Sequence, residues 1–176
     1  MSQAEQRDCG IIEPASWPAE VPLTRELFLE YADWLDMDLC FQGFDAELAG
    51  LPGGYALPEG NLWFARVDGA VAGVVGLRPF GPPDQSSGRS QRCCEMKRLW
   101  VRPDYRGLGL GRRLAEQTLR AAEDMGYRRM CLDTLHRMTE ARALYARLGF
   151  RDRTNQVSGP HPELIYMERD LGPGGS

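Results

Sequence analysis

Lysine and histidine are almost missing from this chain. Among 176 residues there is one lysine, Lys97, and two histidines, His136 and His161. A zinc site built on histidine therefore has few ligands to draw on. The five cysteines do not replace them: Cys9, Cys40, Cys93, Cys94 and Cys131 include no pair at the two-to-four-residue gap of a zinc knuckle. They read as reduced thiols in a cytosolic protein, and no metal is expected. Long apolar runs are lacking too. The longest, Ala70 to Leu77, is broken by two glycines and is too short to cross a bilayer, so no membrane partner is expected. The opening MSQAEQRD carries acids where a signal peptide has a basic start and an apolar run, which makes the cytoplasm the expected location. A basic surplus is also absent: 21 Lys and Arg stand against 25 Asp and Glu. A nucleic-acid binder does not have this balance.

What is present is ordinary for one globular domain, with 43% hydrophobic and 26% charged residues. The charge is uneven. Residues 1–88 hold four arginines against fourteen acids, and residues 89–176 hold seventeen basic groups against eleven acids. The basic half suits a polyanionic small ligand and the acidic half suits a cation, unless both are solvated faces.

Periodicity predicts the elements. Leu23, Leu27, Tyr31, Trp34 and Leu35 recur at helical steps between Pro22 and Met37, and a short helix follows over Phe44 to Leu51. Asn61–Val67 and Ala70–Leu77 alternate as strands around Asp68-Gly69, a two-residue hairpin signal. Cys93–Val101 is a strand, 110–125 a helix ended by Gly126, Arg129–Leu135 a strand and 139–148 a helix ended by Gly149. Short strands are expected at 9–14, 150–153 and 163–171. The fold class is α/β (α+β), one domain over 11–171 with a mixed sheet, and 1–10 and 172–176 read as flexible ends.

The densest signal is LWVRPDYRGLGLGRR, Leu99 to Arg113. A strand runs into a turn with alternating glycines, Gly107, Gly109 and Gly111, and then into a helix. Glycine lets a ligand approach the backbone, and the free N–H groups and dipole of a helix start attract an anion. Arg102, Arg106, Arg112 and Arg113 add charge that forks onto phosphate oxygens. The spacing is neither G-x-G-x-x-G nor a P-loop. A purely structural helix start stays open at this point.

With Val101, Pro103, Tyr105, Arg106, Gly107, Gly109 and Gly111 in place, the chain resembles the GCN5-related N-acetyltransferase family. A second block, Ala141 to Phe150 (ARALYARLGF), is similar to that family's A-x-x-L-Y-x-x-x-G-F. The resemblance covers about 11–171. It implies a mostly antiparallel sheet whose 93–101 and 129–135 strands splay apart. Acetyl-CoA would be the co-substrate, with the pantetheine arm along Leu99, Trp100 and Val101. Its diphosphate would lie on Arg106, Gly107, Leu108, Gly109, Leu110, Gly111 and Arg112. One departure is Met138, where many relatives carry an asparagine that contacts the cofactor.

The reaction needs a base for a protonated amine. Glu95 lies eleven residues before Arg106, the offset at which relatives that use a strand glutamate place it. Strand parity puts Glu95, Lys97, Leu99 and Val101 on one side. Rival bases are Asp133, His136 and Glu47. Tyr145 is the expected acid for the departing thiolate, with core packing as its alternative role. Tentative acceptor contacts are Glu47, Arg78 and Asp133. The acids of 20–50 suggest a small cationic amine, and Arg78 suggests an acceptor carboxylate instead. A protein acetyltransferase acting on an N-terminus or lysine, a non-catalytic acyl-CoA-binding regulator and a homodimer all remain open at this point.

Overall fold

The structure is a computed structural model and describes residues 10–81, 92–156 and 161–172. The ends expected to be flexible fall outside these residues except for Gly10 and Gly172. Gly10 is buried, and its carbonyl accepts a hydrogen bond from Arg113 Nη2 at 2.8 Å.

Seven strands form one sheet: β1 (Ile11–Pro14), β2 (Asn61–Val67), β3 (Ala70–Pro79), β4 (Cys93–Val101), β5 (Arg129–Leu135), β6 (Arg151–Asp152) and β7 (Leu164–Asp170). The spatial order is β1-β2-β3-β4-β5-β7-β6, and only β4 and β5 are parallel. The helices are α1 (Val21–Leu35), α2 (Phe44–Ala49), α3 (Leu110–Asp124) and α4 (Thr139–Arg147). Every expected element is present within two residues of its predicted bounds, and the strand expected at 150–153 is reduced to Arg151–Asp152.

Both faces of the sheet are covered, so β2 carries apolar residues toward each. Leu62 and Phe64 pack with Leu27 and Phe28 of α1, while Trp63, Ala65 and Val67 pack with Leu110 and Leu114 of α3. Each fully buried side chain of this kind stabilises the fold by about 1.5–3 kcal/mol.

One irregularity positions everything that follows. On β3, Gly76 pairs with Lys97 and Val74 with Trp100, so β4 uses one more residue than its partner. The extra residue makes a bulge at Arg98, whose φ is +57°. The bulge reverses strand parity. Before it, Glu95 and Lys97 point toward the α1 and α2 side. After it, Leu99 and Val101 pack with the α3 cluster and Trp100 joins the α1 cluster. The expectation that Glu95, Lys97, Leu99 and Val101 share one side is therefore wrong, because a single extra residue exchanges the faces.

Arg98 is held by Glu47. Its Nε and Nη2 donate to the two carboxylate oxygens at 3.2 and 2.6 Å, and both side chains are under 5% exposed. Tyr55 also donates to Glu47, at 2.6 Å, and lies against Gly76, where a Cβ would come within 2.4 Å of the ring. Burial alone would raise the Glu47 carboxyl. The hydrogen bonds and charge of Arg98, with Tyr55 and Arg78, outweigh it and hold the carboxyl below its ordinary value of 4.5.

A depressed carboxyl stabilises the fold above the unfolded value, and that contribution is lost as pH falls through the folded value. Glu47→Ala leaves Arg98 buried without its partner and should cost about 3–5 kcal/mol in urea unfolding. In Glu47→Gln the acid limb of stability, below pH 4.5, should flatten. An unchanged acid limb would mean the pair contributes nothing there.

Candidate active site

Beyond the bulge, β4 leaves β5. Their ladder has three pairs, from Cys93↔Arg129 to Glu95↔Cys131, and then stops. The gap opens into two joined spaces. The larger is a groove with about 1820 Å³ of free space, part of it open solvent. Leu99, Trp100 and Val101 form one wall, the turn from Tyr105 to Gly111 closes one end, and Thr139, Ala141 and Leu144 of α4 form the other wall. The smaller is a tighter and more enclosed cavity of about 30 Å³ between α1 and the two splayed strands. Leu35, Leu99, Met138 and Tyr145 line both spaces and form the neck between them.

The glycine turn fits a diphosphate. Gly107 and Gly109 have φ of +81° and +73°, the left-handed region that glycine enters at little cost. Gly111 needs no such angle; a Cβ there would meet only Val101 Cγ2 at 3.8 Å. Among the described residues, no protein acceptor takes the N–H groups of residues 107–112. The first amide to be bonded is Arg113, to the Gly109 carbonyl at 3.1 Å. Six consecutive unbonded amides at the positive end of α3 make an anion cradle. Arg106 stands at its rim, with its guanidinium 5.1 Å from the Trp34 ring and 5.2 Å from the Trp100 ring. Of the expected cofactor contacts, Leu99, Trp100, Val101, Arg106, Gly107, Gly109, Leu110 and Gly111 line the groove. Leu108 and Arg112 do not, and Arg112 is spent on an exposed pair with Glu116 at 2.7 Å.

Tyr145 sits in the neck. Its ring packs edge-on against Phe150, while its hydroxyl has no hydrogen-bond partner among the described residues. Burial pushes its pKa well above the usual 10, so it stays protonated at neutral pH. Tyr31 lines the cavity as well, and burial raises it to about 12.

The cavity's polar wall is a chain of contacts. Lys97 Nζ donates to Asp133 Oδ1 at 3.3 Å and to Gln42 Oε1 at 3.2 Å. Gln42 Nε2 donates to Asp133 Oδ2 at 2.5 Å, and Arg98 Nη1 donates to Gln42 Oε1 at 3.1 Å. Asp133 thus lines the cavity. Glu95 lines neither space; it lies two residues before Lys97 on the same face of β4. One oxygen, Oε1, accepts from Arg78 Nε at 2.5 Å, and Oε2 has no partner among the described residues. Arg78 is therefore committed to Glu95 and does not line the cavity. Glu47 is buried behind Arg98 and does not line it either. His136 is exposed and outside both spaces.

Most of the acidic residues of 20–50 are also accounted for. Glu20 holds Arg66, Glu26 and Glu30 hold Arg102, and Asp38 caps the Cys40 amide. None of the acids of this segment lines the cavity. Sequence reasoning missed Tyr31, Gln42 and Arg98 as cavity groups. The one visible signal was Lys97-Arg98, two adjacent charges inside an apolar strand. Among the described residues, no group of three or more His, Cys, Asp or Glu is gathered as a metal site, and no helix is long and apolar enough to cross a membrane.

A splayed β4–β5 pair, an amide cradle at a helix start and a pocket beyond the neck define a transferase that uses an acyl-CoA. Residues 18–150 match the model of the acetyltransferase (GNAT) family. An uncharacterized N-acetyltransferase of Schizosaccharomyces pombe is 37% identical over 161 residues, covering 91% of this chain and 94% of its own. Among solved structures, an acetyltransferase from Streptococcus agalactiae superposes with a TM-score of 0.71 at 19% identity, over 93% of this chain and 99% of its own. A GNAT acetyltransferase from Elizabethkingia anophelis, solved with acetyl-CoA bound, gives 0.63 at 19% identity, over 94% and 100%. The chain belongs to the GNAT family of acetyltransferases and is an acetyl-CoA-dependent N-acetyltransferase.

Gly111→Leu places a side chain over the cradle without requiring a new backbone conformation. It should lower the affinity for CoA by at least about tenfold in calorimetry, while thermal unfolding stays close to wild type. Unchanged affinity would place the diphosphate elsewhere.

Proposed function

We propose that the chain transfers acetyl from acetyl-CoA to the primary amine of a small molecule by direct attack, with acceptor and thioester meeting at the neck. The observation that supports this reading most is the continuity of the amide cradle, the groove and the enclosed cavity through Tyr145. A regulator that only binds acyl-CoA has no use for a second pocket beyond the thioester. A protein acetyltransferase needs an open trough rather than a confined pocket behind a neck.

The residues divide the work as follows. Groups of the 107–112 turn bind the diphosphate, with Arg106 turning from the indoles toward it. Backbone groups of β4 from Leu99 to Val101, left without a β5 partner, pair with the pantetheine arm. One N–H of this segment polarises the thioester carbonyl, where charge develops in the transition state. Tyr145, kept protonated by burial, gives its proton to the departing sulfur. Glu95 accepts the proton of the amine through water, since it does not itself line the cavity. Its free Oε2 suits that role better than Asp133, both of whose oxygens are bonded. The cysteines take no part: burial raises Cys131 to about 12 and raises Cys94 further, so neither is a thiolate at neutral pH. Much of the acceleration comes from holding the two reactants together.

Thiol release measured over an amine panel tests the assignment. Tyr145→Phe and Glu95→Gln should each lower kcat by about 10²-fold with affinity for CoA retained. If neither changes kcat, these roles fail. Release without any preference among amines would favour the binding-only reading.

A further inference from the structure

The cavity beyond the neck holds about 30 Å³, room for roughly one water molecule. An amine acceptor does not fit there as the structure stands, whereas the groove on the other side of the neck is wide and open to solvent. On the acetyl-transfer reading the acceptor side has to open in each turnover, and only one of its walls is free to give. β4 is laddered to β3, and β5 and β7 to each other. The wall without such support is Met37, Leu39 and Gln42, from the link between α1 and α2.

Among the described residues, the backbone of 37–43 bonds to no strand. The Cys40 amide donates to the Asp38 side chain at 2.8 Å, the Gln42 amide to the Leu39 carbonyl at 2.9 Å and the Gly43 amide to the Cys40 carbonyl at 3.0 Å. A left-handed residue stands at each end of the link, Asp36 with φ of +47° and Gly43 with φ of +68°. Both lie at helix ends, where a hinge absorbs backbone rotation without breaking a ladder. A Cβ at Gly43 would meet nothing within 4 Å, so this glycine serves the backbone angle and not a close approach.

Gln42 holds the link down. Its carbonyl accepts from Lys97 Nζ at 3.2 Å and from Arg98 Nη1 at 3.1 Å, and its amide donates to Asp133 Oδ2 at 2.5 Å. One carboxamide thus bridges β4 and β5, satisfying cations and a carboxylate together. Water or the polar groups of an acceptor can take over the same bonds, which makes the latch exchangeable. We propose that residues 37–42 are a strap over the acceptor pocket, hinged at Asp36 and Gly43 and latched by Gln42, and that it swings out to admit the amine while CoA stays in its groove. Gln42 governs access to the pocket and takes no part in the chemistry. The proposal rests on the acetyl-transfer reading and deepens it.

The test places a thiol in the cavity wall, Leu164→Cys, and follows its alkylation by N-ethylmaleimide with peptide mass spectrometry, while saturating CoA fills the groove. Leu164 is 4% exposed, and Cys94, fully buried in the α3 cluster, reports global unfolding in the same sample. The new thiol should react at least about tenfold faster than Cys94, and Gln42→Ala should raise that ratio about tenfold further. If Leu164→Cys does not fold, Leu135→Cys on β5 carries the same readout. With the amine that releases thiol fastest, Gln42→Ala should lower the KM for the amine and leave that for acetyl-CoA unchanged, because a closed fraction no longer counts against binding. Alkylation no faster than at Cys94, or indifferent to Gln42→Ala, overturns the strap. A raised amine KM in Gln42→Ala overturns it too, since Gln42 would then be a fixed contact of the acceptor. Opening needs no acceptor, so a strap that opens in a protein acetylating no amine would count against the transfer reading and not against the strap.

Discussion

The structure depends on one buried contact, the grip of Glu47 on the Arg98 guanidinium. A left-handed residue in the middle of a strand is uncomfortable, with φ at +57°. It persists because the surroundings over-determine it. Glu47 takes two hydrogen bonds from Arg98, Gln42 takes one, and the Phe44 ring lies 4.9 Å beneath the guanidinium. A pair this deeply buried is costly to form and costly to break, so its worth lies more in fixing geometry than in adding stability. What it fixes is the bulge. The bulge turns β4 away from β5, and the gap left between them is the site.

Two kinds of chemistry meet across that gap because the strand changes face there. Before the bulge, the side chains of Glu95 and Lys97 join the α1 and α2 side. After it, Leu99 and Val101 turn toward α3, and their strand edge is free to pair with a pantetheine arm. The glycine turn then follows directly from the end of β4, which places an anion cradle in line with the groove. On the proposed reading, position along a single strand orders the contacts from acceptor to thioester to diphosphate.

The parts of this design that were legible in the sequence are the local ones. A helix start with alternating glycines announces its free amides in the residues themselves. The apolar periods of α1 and α3 and the Asp68-Gly69 hairpin are equally self-contained. The bulge was not legible, because it exists only in the register between β3 and β4. Lys97 beside Arg98 broke the alternation of the strand, yet alternation alone cannot say which of the two charges is the extra residue. The partners of the acidic helices were hidden for a related reason. Their partners come from far along the chain: Arg66 is 46 residues from Glu20, and Arg102 is 72 from Glu30. Sequence shows the charges of a segment but not the distant groups that neutralise them. Glu95 could be found by its offset from Arg106. Its tie to Arg78 needed the sheet.

The claim on which the rest stands is that the unbonded amides of residues 107–112 hold the diphosphate of the co-substrate. Backbone amide NMR during a titration with CoA reads this directly. The account predicts that the largest shifts fall on Gly107, Gly109, Gly111 and their neighbours in this turn, with smaller ones along Leu99 to Val101. Saturable binding that leaves these amides unmoved, or no binding at all, would contradict it.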